Sequence, residues 1–178
     1  MKELIRKAKK GDEEAFTQII LHISDDLYKI ARTRISNEED IADAIQETMI
    51  EIYKSIKKLK DEEKLKKWVI KILINKCNRI YRRKYKKSDL SMEEYNFDNM
   101  DLDSANSINK LESEINFFDI IKNLNYEERI IIILYYMEEY SVKEIKEILN
   151  MNENTINTHL YRARQKIKKC WEEKVWMI

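Results

Sequence analysis

The 178-residue sequence contains no proline, one glycine and two cysteines. Hairpins and tight turns draw on proline and glycine, so their near absence excludes a hairpin-rich fold and points to helices throughout. The two thiols, Cys77 and Cys170, fall inside helical patterns with no ligand residues beside them. That supports neither a disulfide framework nor a zinc site, and both read as inert core or near-core groups. Histidine is equally scarce: His22 and His159 cannot supply the paired Glu-x-x-His motifs of a carboxylate metal site in a helix bundle. The longest uninterrupted apolar run, Ile130 to Met137, is far too short to span a bilayer, and the N-terminal MKELIRKAKKGDEEAF has no apolar leader segment. The chain is therefore expected in the cytoplasm, without membrane insertion. Also missing are a phosphate-cradling glycine loop, a histidine-rich ligand set and a nucleophile with a base at a recognisable spacing. No catalytic residue, metal, cofactor or small-molecule substrate is expected.

What the chain has in quantity is charge, and the charge is sorted. Charged residues make up 38% of it, yet the net charge is only +1. The distribution matters more than the sum. The 24 residues from Lys64 to Lys87 carry eleven Lys or Arg and no Asp or Glu. At about 100° per residue, Val69, Ile70, Leu73, Ile74, Cys77, Ile80 and Tyr81 gather on one side of this helix. Trp68, Asn75, Arg79, Arg82, Arg83 and Lys86 fall opposite. An aromatic ring, an amide and guanidinium groups on one face suit phosphates and unstacked bases; a merely solvated cationic face is the alternative.

In chain order, a short first helix opens at Leu4, and Gly11-Asp12 reads as a helix-ending glycine followed by a new N-cap. A second helix over 13–34 buries Phe16, Ile19, Ile20, Ile23, Leu27, Ile30 and Ala31. Ser36-Asn37 caps a third over 38–59, whose buried side is Ile41, Ile45, Thr48, Met49, Ile52 and Ile56. Its outward side aligns Asp40, Asp43, Glu47 and Glu51, flanked by Gln46 and by Ile50, an aliphatic residue on the wrong face. A solvated acidic face leaves Ile50 unexplained, whereas a protein-docking strip uses it for apolar contact and the acids for complementarity. From Ser88 to Ile115 the composition flips to eight acids against one base, which reads as a flexible acidic linker. The last third predicts helices over 114–122, 126–137, 142–149 and from 153 to at least 170, with Asn125 and Ser141 as N-caps. Only Asn150-Met151-Asn152 separates the last two, the length of a helix-turn-helix. In the final helix Ile156, Leu160, Ala163 and Ile167 face the core, while Asn157, Thr158, Tyr161, Arg162, Gln165 and Lys169 face outward, able to bond base edges and phosphates. A polar-faced helical hairpin is the bland alternative; Arg162, Arg164, Lys166, Lys168 and Lys169 against Glu153 favour DNA.

Four blocks, taken together and in order, carry a resemblance: GDEEAF at Gly11 to Phe16, DIADAIQETMIEIY at Asp40 to Tyr53, LKKWVIKILINKCNRIYRRK at Leu65 to Lys84, and YSVKEIKEILNMNENTINTHLYRARQKIKK at Tyr140 to Lys169. The chain resembles the extracytoplasmic-function sigma factors of the sigma-70 family. That resemblance implies an all-α protein of two small helical domains, region 2 over 1–87 and a region 4 helix-turn-helix over 114–178, joined by the linker 88–113. It implies binding to core RNA polymerase through Asp43, Gln46, Glu47 and Ile50. Recognition and melting of the minus-10 promoter element would fall to the stretch from Lys58 to Trp68 and the helix after it, which would trap an extruded base of the non-template strand, with Leu65, Trp68, Asn75, Arg79, Arg82 and Arg83 as the residues involved. By match of position Asn157, Thr158, Tyr161 and Arg162 would read the minus-35 element, with Thr155, His159, Arg164 and Lys166 on phosphates. An anti-sigma factor is the expected regulator. The chain departs from the family at Leu65, where an aromatic is usual, at Arg79, where an acid is usual, and at Asn150, where glycine is usual; asparagine enters the left-handed region at modest cost. The competing reading is a stand-alone helix-turn-helix regulator with a helical sensing domain.

Overall fold

The computed structural model describes residues 1–84, 121 and 123–175. The expected linker, 88–113, lies outside them, as does the helix expected over 114–122 except for Ile121. Among the described residues the chain is helical, with no strand. It divides into two units, Met1–Asp89 and Leu90–Ile178.

The first unit holds α1 (Lys2–Lys9), α2 (Glu13–Arg32), α3 (Glu38–Ser55) and α4 (Leu65–Lys84). Its punctuation is local and polar. Gly11 takes φ +97, which only glycine adopts readily, and the Asp12 carboxylate accepts from the Ala15 amide at 2.9 Å to start α2. Asn37 does the same for α3 through the Asp40 amide at 3.0 Å. The isoleucine stripes close on one another: Ile5, Ile19, Ile30, Ile41, Ile52, Ile70 and Leu73 are essentially solvent-free. Two expected boundaries move. The second helix stops at Arg32, and a tight turn then buries Thr33, Arg34 and Ile35, with Arg34 Nη2 donating to Asn78 Oδ1 at 2.9 Å. The third stops at Ser55 and runs through the 3-10 turn Ile56–Lys58 into a loop containing a second such turn, Glu62–Lys64.

Cys77 is wholly buried in this core, and burial pushes its thiol from an ordinary value near 9.0 up to about 12. Because the unfolded chain releases that proton earlier, the thiol's contribution is complete below about pH 9 and is lost as pH rises from there through about 12. Iodoacetamide is accordingly expected to alkylate Cys77 only after denaturant unfolds the chain, whereas the half-buried Cys170 can react in the native state; peptide mapping that finds Cys77 labelled in the native protein at neutral pH would contradict its placement.

The second unit comprises α5 (Tyr126–Ile132), α6 (Val142–Leu149) and α7 (Glu153–Val175). Asn125 and Ser141 both form capping boxes, with Glu128 and Glu144. The apolar run Ile130 to Leu134 is buried all round, and α5 continues into a wider π-helical turn, Ile133–Met137. Asn150 closes α6 in the left-handed conformation, φ 55 and ψ 44, so asparagine fills the position where glycine is usual.

Candidate nucleic-acid and polymerase interfaces

In the first unit the acidic face of α3 divides in two. Asp43, Gln46 and Ile50 point to solvent, Ile50 at 47% exposure. Tyr53 joins them at 53% exposure, its ring edge-on to Phe16 at 5.1 Å between centroids. The other acids turn toward α4: Asp40 pairs with Lys84, Glu47 with Arg79 and with Lys76 at 3.9 Å, and Glu51 with Lys76 at 3.8 Å. These pairs run in opposite order along the two helices, which are therefore antiparallel. Asp40, expected on the outward strip, is 1% exposed, because at the edge of the strip it lies under the last turn of α4, whose Lys84 supplies a counter-charge.

On α4, Asn75, Arg82 and Arg83 are exposed as expected, and Arg79 is exposed but clasped to Glu47. Leu65 corrects the expectation: at 3% exposure this aliphatic residue opens α4 from inside the core and offers DNA no surface. Trp68 is half-buried and lines an open cavity of about 560 Å³ with Ile72, with Lys58, Lys60 and Lys64, and with the carboxylates of Glu51 and Asp61. That is within the range of small-molecule sites, roughly 300–1,000 Å³. The ring and the aliphatic side chain offer a planar base stacking and apolar contact, and Lys58 and Lys60 offer charge to its phosphates, while Lys64 pairs with Asp61 at 3.4 Å and Glu51 with Lys76 at 3.8 Å.

In the second unit Thr155, Asn157, Thr158, Tyr161 and Arg162 lie exposed on α7 around its outward face, Tyr161 at 64% exposure. The phosphate candidates sit on its edges and are partly engaged. Arg164 donates through Nε to Tyr136 Oη at 2.8 Å and stacks on the rings of Tyr135 and Tyr136, at 5.5 and 5.7 Å; the Tyr136 hydrogen bond raises the guanidinium above its ordinary value. On the opposite edge Lys166 pairs at 2.8 Å with Glu128, itself buried. His159 is half-buried, its Nδ1 enclosed without a hydrogen-bond partner among the described residues. Ile132, Tyr136, Arg164, Ile167 and Trp171 also frame a groove that the sequence did not announce.

Two family models match this arrangement of units. Residues 19–87 match "Sigma-70 region 2" and residues 116–167 match "Sigma-70, region 4". The chain belongs to the sigma-70 family. Its relatives lie in the extracytoplasmic-function group. ECF RNA polymerase sigma factor SigW of Bacillus subtilis is 27% identical over 178 residues, spanning 95% of each chain. The ECF RNA polymerase sigma-E factor of Haemophilus influenzae is 27% identical over 174 residues, 93% of this chain and 92% of its own. The fold is shared with CnrH, solved in complex with the cytosolic domain of CnrY, at TM-score 0.66, 18% identity and 97% of both chains. It is shared also with sigma factor RpoE of Bartonella quintana, solved with the anti-sigma factor NepR, at TM-score 0.64, 20% identity, 88% of this chain and 96% of that one.

Within this sigma factor, region 2 thus carries an apolar-acidic strip on α3 and a basic-aromatic surface on α4, separated by the ion pairs between the two helices. Tyr53 went unread beside Ile50, although its position seven residues after Gln46, two helical turns, was a signal. The cavity's lysines belong to the charged connection before α4, and nothing in their spacing marks a concave site. Among the described residues no group of three or more His, Cys, Asp or Glu side chains is placed to hold a metal ion, and no helix is long and apolar enough to cross a membrane.

Proposed function

We propose that this sigma factor binds core RNA polymerase through the outward strip Asp43, Gln46, Ile50 and Tyr53, with Glu47 at its border, and directs the enzyme to promoters. Region 2 holds the opened minus-10 strand with Trp68, Asn75, Arg79, Arg82 and Arg83, the Trp68 cavity receiving an extruded base. Region 4 reads the upstream element with Asn157, Thr158, Tyr161 and Arg162, while Thr155, His159, Arg164 and Lys166 brace the phosphates. The observation that carries the reading is the cavity beside Trp68. It offers stacking and ammonium groups together, on the helix that carries exposed guanidinium groups about three to four turns further along, and opening DNA without fuel requires unstacked bases to be held by stacking and neutralised phosphates. Such a factor works in the cytoplasm as a non-catalytic subunit, and a separate anti-sigma factor that covers the exposed strips would hold it inactive. Run-off transcription on genomic fragments, with core polymerase and the purified chain, tests this. Defined start sites that require the chain are expected; their absence refutes the proposal.

The docking strip makes its own prediction. A few residues that lose water at the centre of a protein interface carry most of its binding energy. Gln46→Ala combined with Ile50→Ala is expected to weaken core polymerase binding at least about tenfold, with the thermal transition of the chain unmoved because both residues face solvent. Unchanged affinity in a pull-down would place the docking surface elsewhere.

A further inference from the structure

The loop that walls the Trp68 cavity is tied to a helix more than fifty residues away in sequence. Lys9 Nζ lies 3.4 Å from Glu62 Oε1, Arg6 Nη2 lies 3.6 Å from Glu62 Oε2, and Lys2 Nζ donates to Glu63 Oε1 at 2.6 Å. Ile5 and Ala8, on the adjoining face of α1, are buried, so the helix is seated in the core and presents its cations from a fixed base. Lys9 and Glu62 are themselves largely covered, with side-chain exposures of 21% and 23%, which reduces the screening that makes most surface pairs weak. The hydrogen bond that Lys2 donates to Glu63 raises the ammonium above its ordinary range.

Without α1 the loop has few other restraints. Leu59 and Leu65 anchor its two ends in the core, and Asp61 caps the Glu63 amide at 3.0 Å. Between those anchors lie the cavity residues Lys60, Asp61 and Lys64. Glu62 and Glu63 would also put two uncompensated negative charges beside a cavity whose occupant, on the reading above, is a nucleotide. Added to the carboxylates Glu51 and Asp61 that already line the cavity, that charge lowers its affinity for phosphate.

We infer that α1 is a positioning element for base capture: Lys2, Arg6 and Lys9 fix the loop that forms the rim of the cavity and neutralise its two glutamates. This rests on the cavity being the base site, and the experiment keeps the two ideas apart. Holoenzyme carrying Lys9→Glu is compared with wild type, with the swap Lys9→Glu plus Glu62→Lys, and with Trp68→Ala, on a promoter fragment recovered by run-off transcription. Three readouts are taken: permanganate reactivity of unpaired thymines, affinity for core polymerase, and amide exchange at Leu59, Glu63 and Lys64. Lys9→Glu is expected to lower strand opening by up to about fivefold and to speed exchange at the three amides, with core affinity unchanged. The swap restores both. If Trp68→Ala impairs opening while Lys9→Glu behaves as wild type, or if the swap rescues nothing, the role of α1 is refuted and the cavity reading stands. If Trp68→Ala opens promoters normally, or if no fragment yields a start site, the cavity reading falls and the inference with it. Should Lys9→Glu fail to fold by circular dichroism, Glu62→Gln, which removes the attraction without reversing it, takes its place with the same expected outcomes.

Discussion

Trp68→Ala is expected to reduce promoter opening by one to two orders of magnitude while leaving upstream DNA binding and polymerase affinity intact. Base stacking on an aromatic side chain contributes about 1–3 kcal/mol per base, and each 1.4 kcal/mol is tenfold in an equilibrium. Trp68 sits on α4 immediately before Val69 and Ile70, which are buried, so the backbone that carries the ring is held by its neighbours rather than by the ring itself. Truncation should therefore empty one wall of the cavity without collapsing the helix. Trp68→Phe keeps a π-face and is expected to retain most of the opening, whereas a leucine of similar bulk is not. Permanganate footprinting separates the three. Equal loss for phenylalanine and leucine would mean that the ring packs the loop rather than stacks on a base.

How far the chain could be read before its structure follows from what periodicity encodes. A stripe such as Ile19, Ile23, Leu27 and Ile30 fixes a helix and its buried side, and polar caps such as Asp12, Asn37, Asn125 and Ser141 mark where helices start, since both are local in sequence. The edges of each stripe are another matter. Asp40, Glu47 and Glu51 look alike on a helical projection to Asp43, but α4 lies along their side of α3 and supplies Lys84, Arg79 and Lys76. Only the packing of a second helix decides which acids stay free. The same holds for Leu65, whose burial depends on how the preceding loop returns, and for Arg34, whose partner Asn78 lies 44 residues on. The resemblance pointed to the stretch from Lys58 to Trp68, but its concave shape was invisible for that reason: Ser55 and Trp68 line the cavity from helices on either side of the loop. The π-helical turn after Ile132 left no mark either, because an unbroken apolar run is compatible with any helical period.

Packing at edges also singles out Arg162 among the cations of α7. Arg164 is stacked on two tyrosines and Lys166 is paired with a buried glutamate, so each spends part of its capacity inside region 4. Arg162 is exposed and forms no ion pair among the described residues. It stands one position after Tyr161 and one turn beyond Thr158, on the face that an inserted helix turns toward base edges. Its guanidinium presents the planar fork that matches two acceptors of a guanine. Arg162→Ala is expected to cost roughly 1–3 kcal/mol on the cognate upstream element and much less on scrambled duplex. Mobility-shift titrations at several salt concentrations distinguish the alternatives. A base-reading arginine lowers the ratio of cognate to scrambled affinity and leaves the salt dependence nearly unchanged. A phosphate-holding arginine lowers both affinities alike and reduces the slope of log K against log salt by about one. Arg164→Ala provides the contrast within one protein, because removing it also strips a hydrogen-bonded, stacked group from Tyr135 and Tyr136; it should lower the melting temperature of region 4 as well as its affinity, a double effect that Arg162→Ala should not show.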